Sequence, residues 1–272
     1  MIRIDVLITS HNRREKTLAC LESLAGQRSG DADVRVVLVD AGSTDGTPVR
    51  VAERYPDVVV VRAGTDVYWG GGMQIAGSHA RDTADFHLWL NDDVLLEPHA
   101  LSELLSVARP DRIVAGKLSD ATGVPTYGGF TSTRLAPLSF RPIPVSARPE
   151  PARTMNGNVV LVGRAVLDAI GGVRGDLFPH AFGDVDYGLT ATRSGFEVVQ
   201  APGIIGTCSR NPPATRRSLP SFRARWRATR SIKELPPQMW WHACRRHTGV
   251  LAPFFFVVPY AKLLRRVPEA SS

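Results

Sequence analysis

Four short runs of branched apolar residues fall within the first ninety positions, and each stops at a polar or glycine-rich turn. They are residues 2–9 (IRIDVLIT), 34–40 (VRVVLVD), 57–62 (DVVVVR) and 86–90 (FHLWL). Runs of this length, rich in Val and Ile, read as buried strands. Between them lie segments with helical spacing. A helix is predicted over 13–27, a second from Thr47 or Asp45 to about Arg54, a third after a Gly-rich turn at 64–72, and a fourth from Pro98 to Ala108. Strands alternating with helices imply a mostly parallel, Rossmann-like sheet with right-handed crossovers. Ligands of such sheets bind beyond the C-terminal ends of the strands. Asp40, the 64–72 loop and Asn91-Asp92-Asp93 all follow strand ends, so three polar or glycine-rich segments are expected on one rim.

The rest of the chain is less even. Residues 120–153 carry prolines and little periodicity, and are expected to form a short hairpin and a loop over the pocket. Order returns with a strand at 158–162, helices at 164–170 and 185–194, and a strand at 196–200. A chain of 272 residues holds one large domain with a small appendage. Its 43% apolar and 22% charged residues exclude a disordered chain. Cys20, Cys208 and Cys244 form no CxxC pair and no disulfide framework, which points to a reducing, cytoplasmic setting. The N-terminal apolar run is too short for a signal peptide, and no stretch is read as the 18 or so apolar residues that span a bilayer.

Four constellations could carry chemistry. Asn91-Asp92-Asp93 offers carboxylates that can hold a hard divalent cation, or can merely cap the next helix. Asp40 opens the turn DAGSTDGT, and its carboxylate can accept hydrogen bonds from a base or ribose; a plain β-turn is the alternative. Trp69-Gly70-Gly71-Gly72 enters a helix, where bare amides can approach a phosphate. It is neither a Walker loop nor a dinucleotide fingerprint. Asp184 and Asp186, just after His180, can supply a general base or, again, a helix cap.

In order and spacing these pieces resemble the family 2 glycosyltransferases, of GT-A fold. The matching stretches are VLITSHNRREKTLACLESL, VLVDAGSTDGT, LWLNDDVLLEP and NGNVVLVGRAVLDAIGGVRGDLFPHAFGDVDYGLTATRSGF, and the resemblance covers roughly residues 3–205. It is similar to bacterial transferases of rhamnose and galactofuranose that build cell-surface polysaccharides. The resemblance implies an inverting transfer of a sugar from a nucleotide-diphosphate donor to a glycan or lipid-linked glycan hydroxyl. It also implies a Mg²⁺ or Mn²⁺ held by Asp93 and Asp92, with Asp184 as catalytic base and Asp186 as its acidic neighbour. Thr9, Asn12, Asp40, Trp69, Gly70, Gly71, Gly72, Asn91 and Asp92 fall to the donor side, and Asn156, Gly157 and His180 to the acceptor side. Where the family often has an acid, this chain has Asn91, Ala41 and Gly183. Where it often has a metal-binding His, residues 204–209 read IIGTCS. His180 is a candidate substitute. A nucleotidyltransferase would share the sheet but normally shows a Gly-rich basic N-terminal signature, whereas SHNRRE has no glycine. A degenerate, non-catalytic sugar-nucleotide binder is the alternative from another class.

The formal charge of +7 sits in the last quarter. From residue 201 there are 13 Lys and Arg against 2 Asp and Glu, a net of +11, which leaves −4 for the first 200. A GT-A domain over 1–205 is therefore expected to be followed by a basic, aromatic-rich helical extension over 206–272. Seven arginines (210, 216, 217, 223, 225, 227 and 230) precede Trp240 and Trp241, with Arg245, Arg246, Arg265 and Arg266 flanking an apolar core at 250–261. Cations and aromatics around a short apolar core fit either an anionic membrane surface on its cytoplasmic face or a helical pair packed on the catalytic domain or on a second subunit. No recognised nucleic-acid module accompanies the arginines, so no nucleic acid is expected as partner.

Overall fold

The computed structural model describes residues 1–28, 30, 32–133, 136–209, 219, 221–232 and 234–264. The chain divides into two compact units, Met1–Thr131 with Arg141–Ser209, and Ser132–Phe140 with Arg210–Ser272.

The first unit begins as the alternation demands: β1 (Arg3–Ser10), α1 (Arg14–Ala25), β2 (Asp33–Asp40), α2 (Thr47–Arg54), β3 (Val59–Arg62), α3 (Trp69–Ser78) and β4 (Phe86–Leu90). β5 (Leu95–Leu96), α4 (Ala100–Ser106) and β6 (Arg112–Ala115) follow. The excursion that comes next holds only short strands: β7 (Leu118–Ser119), β8 (Gly129–Thr131), β9 (Arg141–Pro142), β10 (Glu150–Ala152) and β11 (Thr154–Met155). β12 (Val159–Gly163), α5 (Arg164–Ile170), α6 (Gly183–Arg193), β13 (Glu197–Gln200) and β14 (Gly206–Thr207) complete the unit.

Eight strands form the main sheet in the order β10-β13-β6-β12-β4-β1-β2-β3. The pairs β3-β2, β2-β1, β1-β4 and β6-β13 are parallel, so the sheet is mostly parallel, as expected. β12, however, is antiparallel to both β4 and β6. β6 ends at the ligand-side rim, the excursion returns to the same sheet as β10 beside β13, and β12 then descends from the rim. β6 adds to the elements expected from sequence; its four-residue run is too short to stand out.

Alternate residues of each strand feed two cores, because successive side chains point to opposite faces. Ile4, Val6, Ile8, Leu38, Leu88 and Leu90 pack with Leu18, Leu21 and Leu24 of α1 and Leu101 and Leu104 of α4. Leu7, Val37, Val39, Trp89, Val160 and Val162 pack with Met73 and Ala76 of α3, Val166 of α5, and Tyr187 and Ala191 of α6. Both faces are covered, so these strands are continuously apolar rather than alternating. Each such buried side chain contributes about 1.5–3 kcal/mol.

The glycine-rich segment is helical where a turn was expected. α3 starts at Trp69, and Gly70 and Gly72 lie in its first turn. A Cβ on Gly70 would run into the Phe178 carbonyl, and one on Gly72 into the Thr9 side chain. The glycines let this helix sit against the sheet and the 178–179 backbone.

In the second unit, α7 (Phe222–Thr229) is capped by Ser221 Oγ, which accepts from Ala224 N at 3.1 Å. α8 (Pro237–Thr248) and α9 (Ala252–Ala261) follow. Pro237–Leu264 is long and apolar enough, by length and composition, to cross a membrane, which the sequence reading of a 250–261 core did not anticipate. The run nevertheless folds back. Gly249 takes φ 57°, Trp240 Nε1 donates to Phe256 O at 3.3 Å, and the Tyr260 hydroxyl donates to Leu235 O at 2.9 Å. In one straight helix the last two residues would stand roughly 37 Å apart. The element is a helical hairpin with an apolar tip: Val250 is 96% exposed, and Leu251, Phe254 and Val257 are exposed with it. Arg210, Arg216, Arg217, Arg265 and Arg266 lie outside the described residues.

Candidate active site

The C-terminal ends of β4, β1 and β2 lie side by side, and each presents a buried polar group with an oxygen that nothing satisfies. Thr9 Oγ1, Asp40 Oδ1 and Asp92 Oδ2 have no hydrogen-bond partner. Asp40 is fully buried, and its other oxygen accepts from Ser43 N at 3.2 Å. Buried polar atoms are almost always paired, so three unpaired oxygens on adjacent strand ends mark a place built for something else.

Two loops frame that place and are tied together. Asn12 adopts φ 51°; its N–H donates to Ser43 Oγ at 2.9 Å and its Oδ1 accepts from Thr44 N at 2.8 Å. His11 Nδ1 lies 2.7 Å from Ala41 O. Ala41, where the family often has an acid, is itself buried.

The acidic pair follows β4. Asp92 is 4% exposed, and burial pushes its carboxyl above the usual range. One nitrogen of Arg13, Nη1, donates to both Asp92 Oδ1 and Asp93 Oδ2, at 3.0 Å each. Cys208 Sγ sits 3.5 Å from Asp93 Oδ1 and 3.8 Å from Asn158 Nδ2. Burial, reinforced by Asp93, pushes that thiol up to about 12, so it stays protonated. Among the described residues no group of three His, Cys, Asp or Glu is arranged to hold a metal. His180 does not complete such a shell; it stands edge-on to Tyr68 at 5.8 Å. Two carboxylates with an unpartnered buried oxygen still suit a hard cation that takes its remaining ligands from water and phosphate.

Trp69 joins this pair to the second acidic position. Its indole Nε1 donates to Asn91 Oδ1 at 2.9 Å, so the asparagine serves as a neutral acceptor where the family often carries a charge. The far edge of the ring covers Gly157, where a Cβ would clash with it and stand 3.1 Å from Asp184 Cβ. Gly157 N donates to Asp184 Oδ2 and Val185 N to Oδ1, both at 2.8 Å. The Asp184 carboxyl lies above its ordinary value because burial outweighs these two N–H donors. It keeps part of its surface open at the start of α6, whereas Asp186, two residues on in the same first turn, is buried. Asn156 N donates to Gly128 O at 3.0 Å, and Asn91 N to Asn158 O at 2.9 Å. Asn91, Trp69, Gly157 and Asp184 thus form one continuous wall. Gly70 and Gly72 contribute packing there: their N–H groups already donate to Pro179 O and Tyr68 O.

Chemically, the rim can bind a group with N–H or O–H donors against Asp40, neutralise polyphosphate with a cation at Asp92 and Asp93, and accept a proton at Asp184. Arg13 was not among the residues picked from sequence. Its signal was its place, two residues beyond Thr9-Ser10-His11 on the same rim as the acidic pair.

The comparisons with known proteins agree with this fold. Residues 3–248 match the family described as Glycosyltransferase like family 2. The chain is 30% identical over 219 residues to the N-acetylglucosaminyl-diphospho-decaprenol L-rhamnosyltransferase of Mycobacterium tuberculosis, covering 69% of each protein. Among solved structures it is similar to S. aureus TarS 1-349, at TM-score 0.58 and 14% identity, over 96% of this chain and 71% of that one. It is also similar to the mannosyltransferase PcManGT from Pyrobaculum calidifontis in complex with GDP-Man and Mn²⁺. That match has TM-score 0.56 and 20% identity, over 96% of this chain and 74% of that one.

Proposed function

The chain belongs to the family 2-like glycosyltransferases, and from that premise we propose that it moves a sugar from a nucleotide-diphosphate donor directly onto an acceptor hydroxyl in cell-surface glycan synthesis. The observation that carries the reading is the cluster of unsatisfied oxygens of Thr9, Asp40 and Asp92 on three neighbouring strand ends.

Asp40 receives the donor's base or ribose, and the diphosphate lies toward Asp92 and Asp93. A Mg²⁺ or Mn²⁺ held by those two carboxylates would neutralise charge on the leaving diphosphate. Trp69 walls the sugar site between donor and base. Asp184 takes the acceptor proton as the hydroxyl attacks. Its raised pKa suits the task, since a base works best when its pKa lies near the working pH. Its two backbone donors fix the carboxylate's orientation without adding a competing charge. One displacement needs one base, so no covalent intermediate is required, and the outcome is inversion.

By likeness to the mycobacterial relative, the acceptor class is a sugar on a polyprenyl diphosphate, and a nucleotide-diphosphate rhamnose is the first donor to assay. The apolar tip of the α8–α9 hairpin, with exposed Trp241 and Arg245 on α8, suits peripheral attachment to an anionic leaflet where such an acceptor resides. Flotation with vesicles rich in anionic lipid measures this; a Val250→Asp, Phe254→Asp protein should stay in the soluble fraction. If the unaltered protein also stays there, the membrane part of the reading is removed.

The decisive test of the reaction is Asp184→Asn. It should lower kcat by about 10²–10⁴-fold while donor affinity, read by calorimetry, is retained. Full activity would reject the base, and no metal-stimulated release of nucleotide from any nucleotide sugar would favour a pure binder.

A further inference from the structure

A single guanidinium nitrogen bridges the two carboxylates that would hold a cation. Arg13 Nη1 is 3.0 Å from Asp92 Oδ1 and 3.0 Å from Asp93 Oδ2, bridging the two carboxylates rather than pairing bidentately with either. The bridge is incomplete, because Asp92 Oδ2, buried in a residue 4% exposed, has no partner. A fork of five N–H donors normally pairs with a carboxylate through two parallel bonds. Here it gives each carboxylate one contact and leaves one buried acceptor empty, so the arrangement is a poorer match for the site than a small divalent ion with several open coordination positions.

The backbone of Arg13 is held independently of the contacts its side chain makes. Its carbonyl accepts from Thr17 N at 2.9 Å and Thr17 Oγ1 at 3.0 Å, and its neighbour Asn12 is clamped to residues 43 and 44. The side chain is 41% exposed, in contrast to 6% for Asp92 and 13% for Asp93. It can therefore leave toward solvent without unpacking the core, whereas the carboxylates cannot follow it.

We propose that Arg13 is a place-holding cation, which neutralises Asp92 and Asp93 in the donor-free protein and which a divalent metal must displace. This deepens the metal reading given above and rests on it. Without the guanidinium, two partly buried carboxylates would face each other uncompensated. With it, the metal meets an occupied site, and its apparent affinity falls by the competition. Metal loading then becomes tied to arrival of the donor, whose diphosphate brings further ligands to the ion.

The experiment is titration of Mn²⁺ into donor-free protein, following the free-ion electron paramagnetic resonance signal, for the unaltered chain, Arg13→Gln, Arg13→Lys and Arg13→Gln with Asp93→Asn. Circular dichroism melting confirms that each is folded. Arg13→Gln should bind Mn²⁺ about tenfold more tightly than the unaltered chain, equivalent to ~1.4 kcal/mol. Arg13→Lys, which keeps a charge but loses the fork, should fall between them, and the double variant should lose binding. Equal or weaker binding by Arg13→Gln overturns the place-holder while leaving the metal site standing. Mn²⁺ bound by neither protein, with or without Arg13, overturns the metal reading and the place-holder with it.

Discussion

Two clusters of aspartate and arginine lie toward opposite ends of the same strands, and they are built to opposite rules. Near the start of β1, Asp5 is fully buried and saturated: Arg81 Nε reaches its Oδ1 at 2.7 Å, Arg81 N its Oδ2 at 2.5 Å, and Arg35 Nη1 approaches at 3.5 Å. Arg81 also pairs with Asp33 and donates to the carbonyls of Ile4 and Asp33. Two acids meet two arginines, and the carboxylate oxygens are used. Beyond β4, two acids meet one half-exposed arginine, and a buried oxygen of Asp92 is left over. The first cluster ties β1, β2 and the end of α3 together. The second tolerates an electrostatic shortfall, and a shortfall that stability alone would not maintain marks a binding site.

That contrast can be broken by measurement. The largest effect is expected at the saturated end: Arg81→Ala should cost about 3–5 kcal/mol in urea unfolding, because it strands a buried charge. Its kcat per folded molecule should be unchanged. At the unsaturated end the pattern should invert. Asp93→Asn should lower kcat/KM by roughly 100-fold, or ~2.7 kcal/mol of barrier, and move unfolding free energy by less than about 1 kcal/mol. Equal destabilisation by both variants would erase the distinction.

A smaller effect is expected in pH profiles. The folded Asp184 carboxyl holds its proton more tightly than it would unfolded. Its contribution to stability is therefore fully present below the ordinary aspartate range and is lost as pH rises through the folded value. Activity runs the other way, since only the carboxylate accepts a proton. The acid limb of kcat/KM should lie above the ordinary aspartate range, and Asp184→Asn should remove it. The smallest effect concerns Cys208. With its thiol pushed up to about 12, iodoacetamide at neutral pH should label it only after unfolding, as read by mass spectrometry. Rapid labelling of native protein would mean that the pocket beside Asp93 is open.

Much of the first unit was legible in the chain itself. β1, β2 and β4 are buried on both faces, so their sequences are almost uninterrupted Val, Leu and Ile, and polar residues at their ends fall on the ligand side by topology alone. Asn91-Asp92-Asp93 could be found that way, and so could Asp40. Asp184 was singled out as a base through resemblance, since from the residues alone an acid at a helix start has an equally good reading as a cap; in the structure Phe182 is the N-cap and Asp184 lies in the first turn of α6. The bridging contact of Arg13 spans 79 and 80 residues, and no local pattern encodes such a contact. Strand direction is equally silent: β12 has the composition of its parallel neighbours and runs against them. The length of the apolar run was underestimated, because the reading stopped at the 250–261 core and Pro237–Leu264 is apolar enough over its whole length. The positive-φ Gly249, between α8 and α9, was not singled out.

The reversed β12 also bears on how the molecule is made. It is hydrogen-bonded between β4 and β6, so neither half of the sheet can be joined to the other until it is in place. The 43 residues between β6 and β12 separate the two strands in the chain, which raises the loop-closure entropy before the β12–β6 ladder is gained. The last steps of assembly should accordingly zip Asn158 against Asn91 and bring Gly157 under Asp184 together. A chain that has closed its sheet has, by the same event, aligned the wall of Asn91, Gly157 and Asp184, and partly folded molecules with that wall in place should not accumulate.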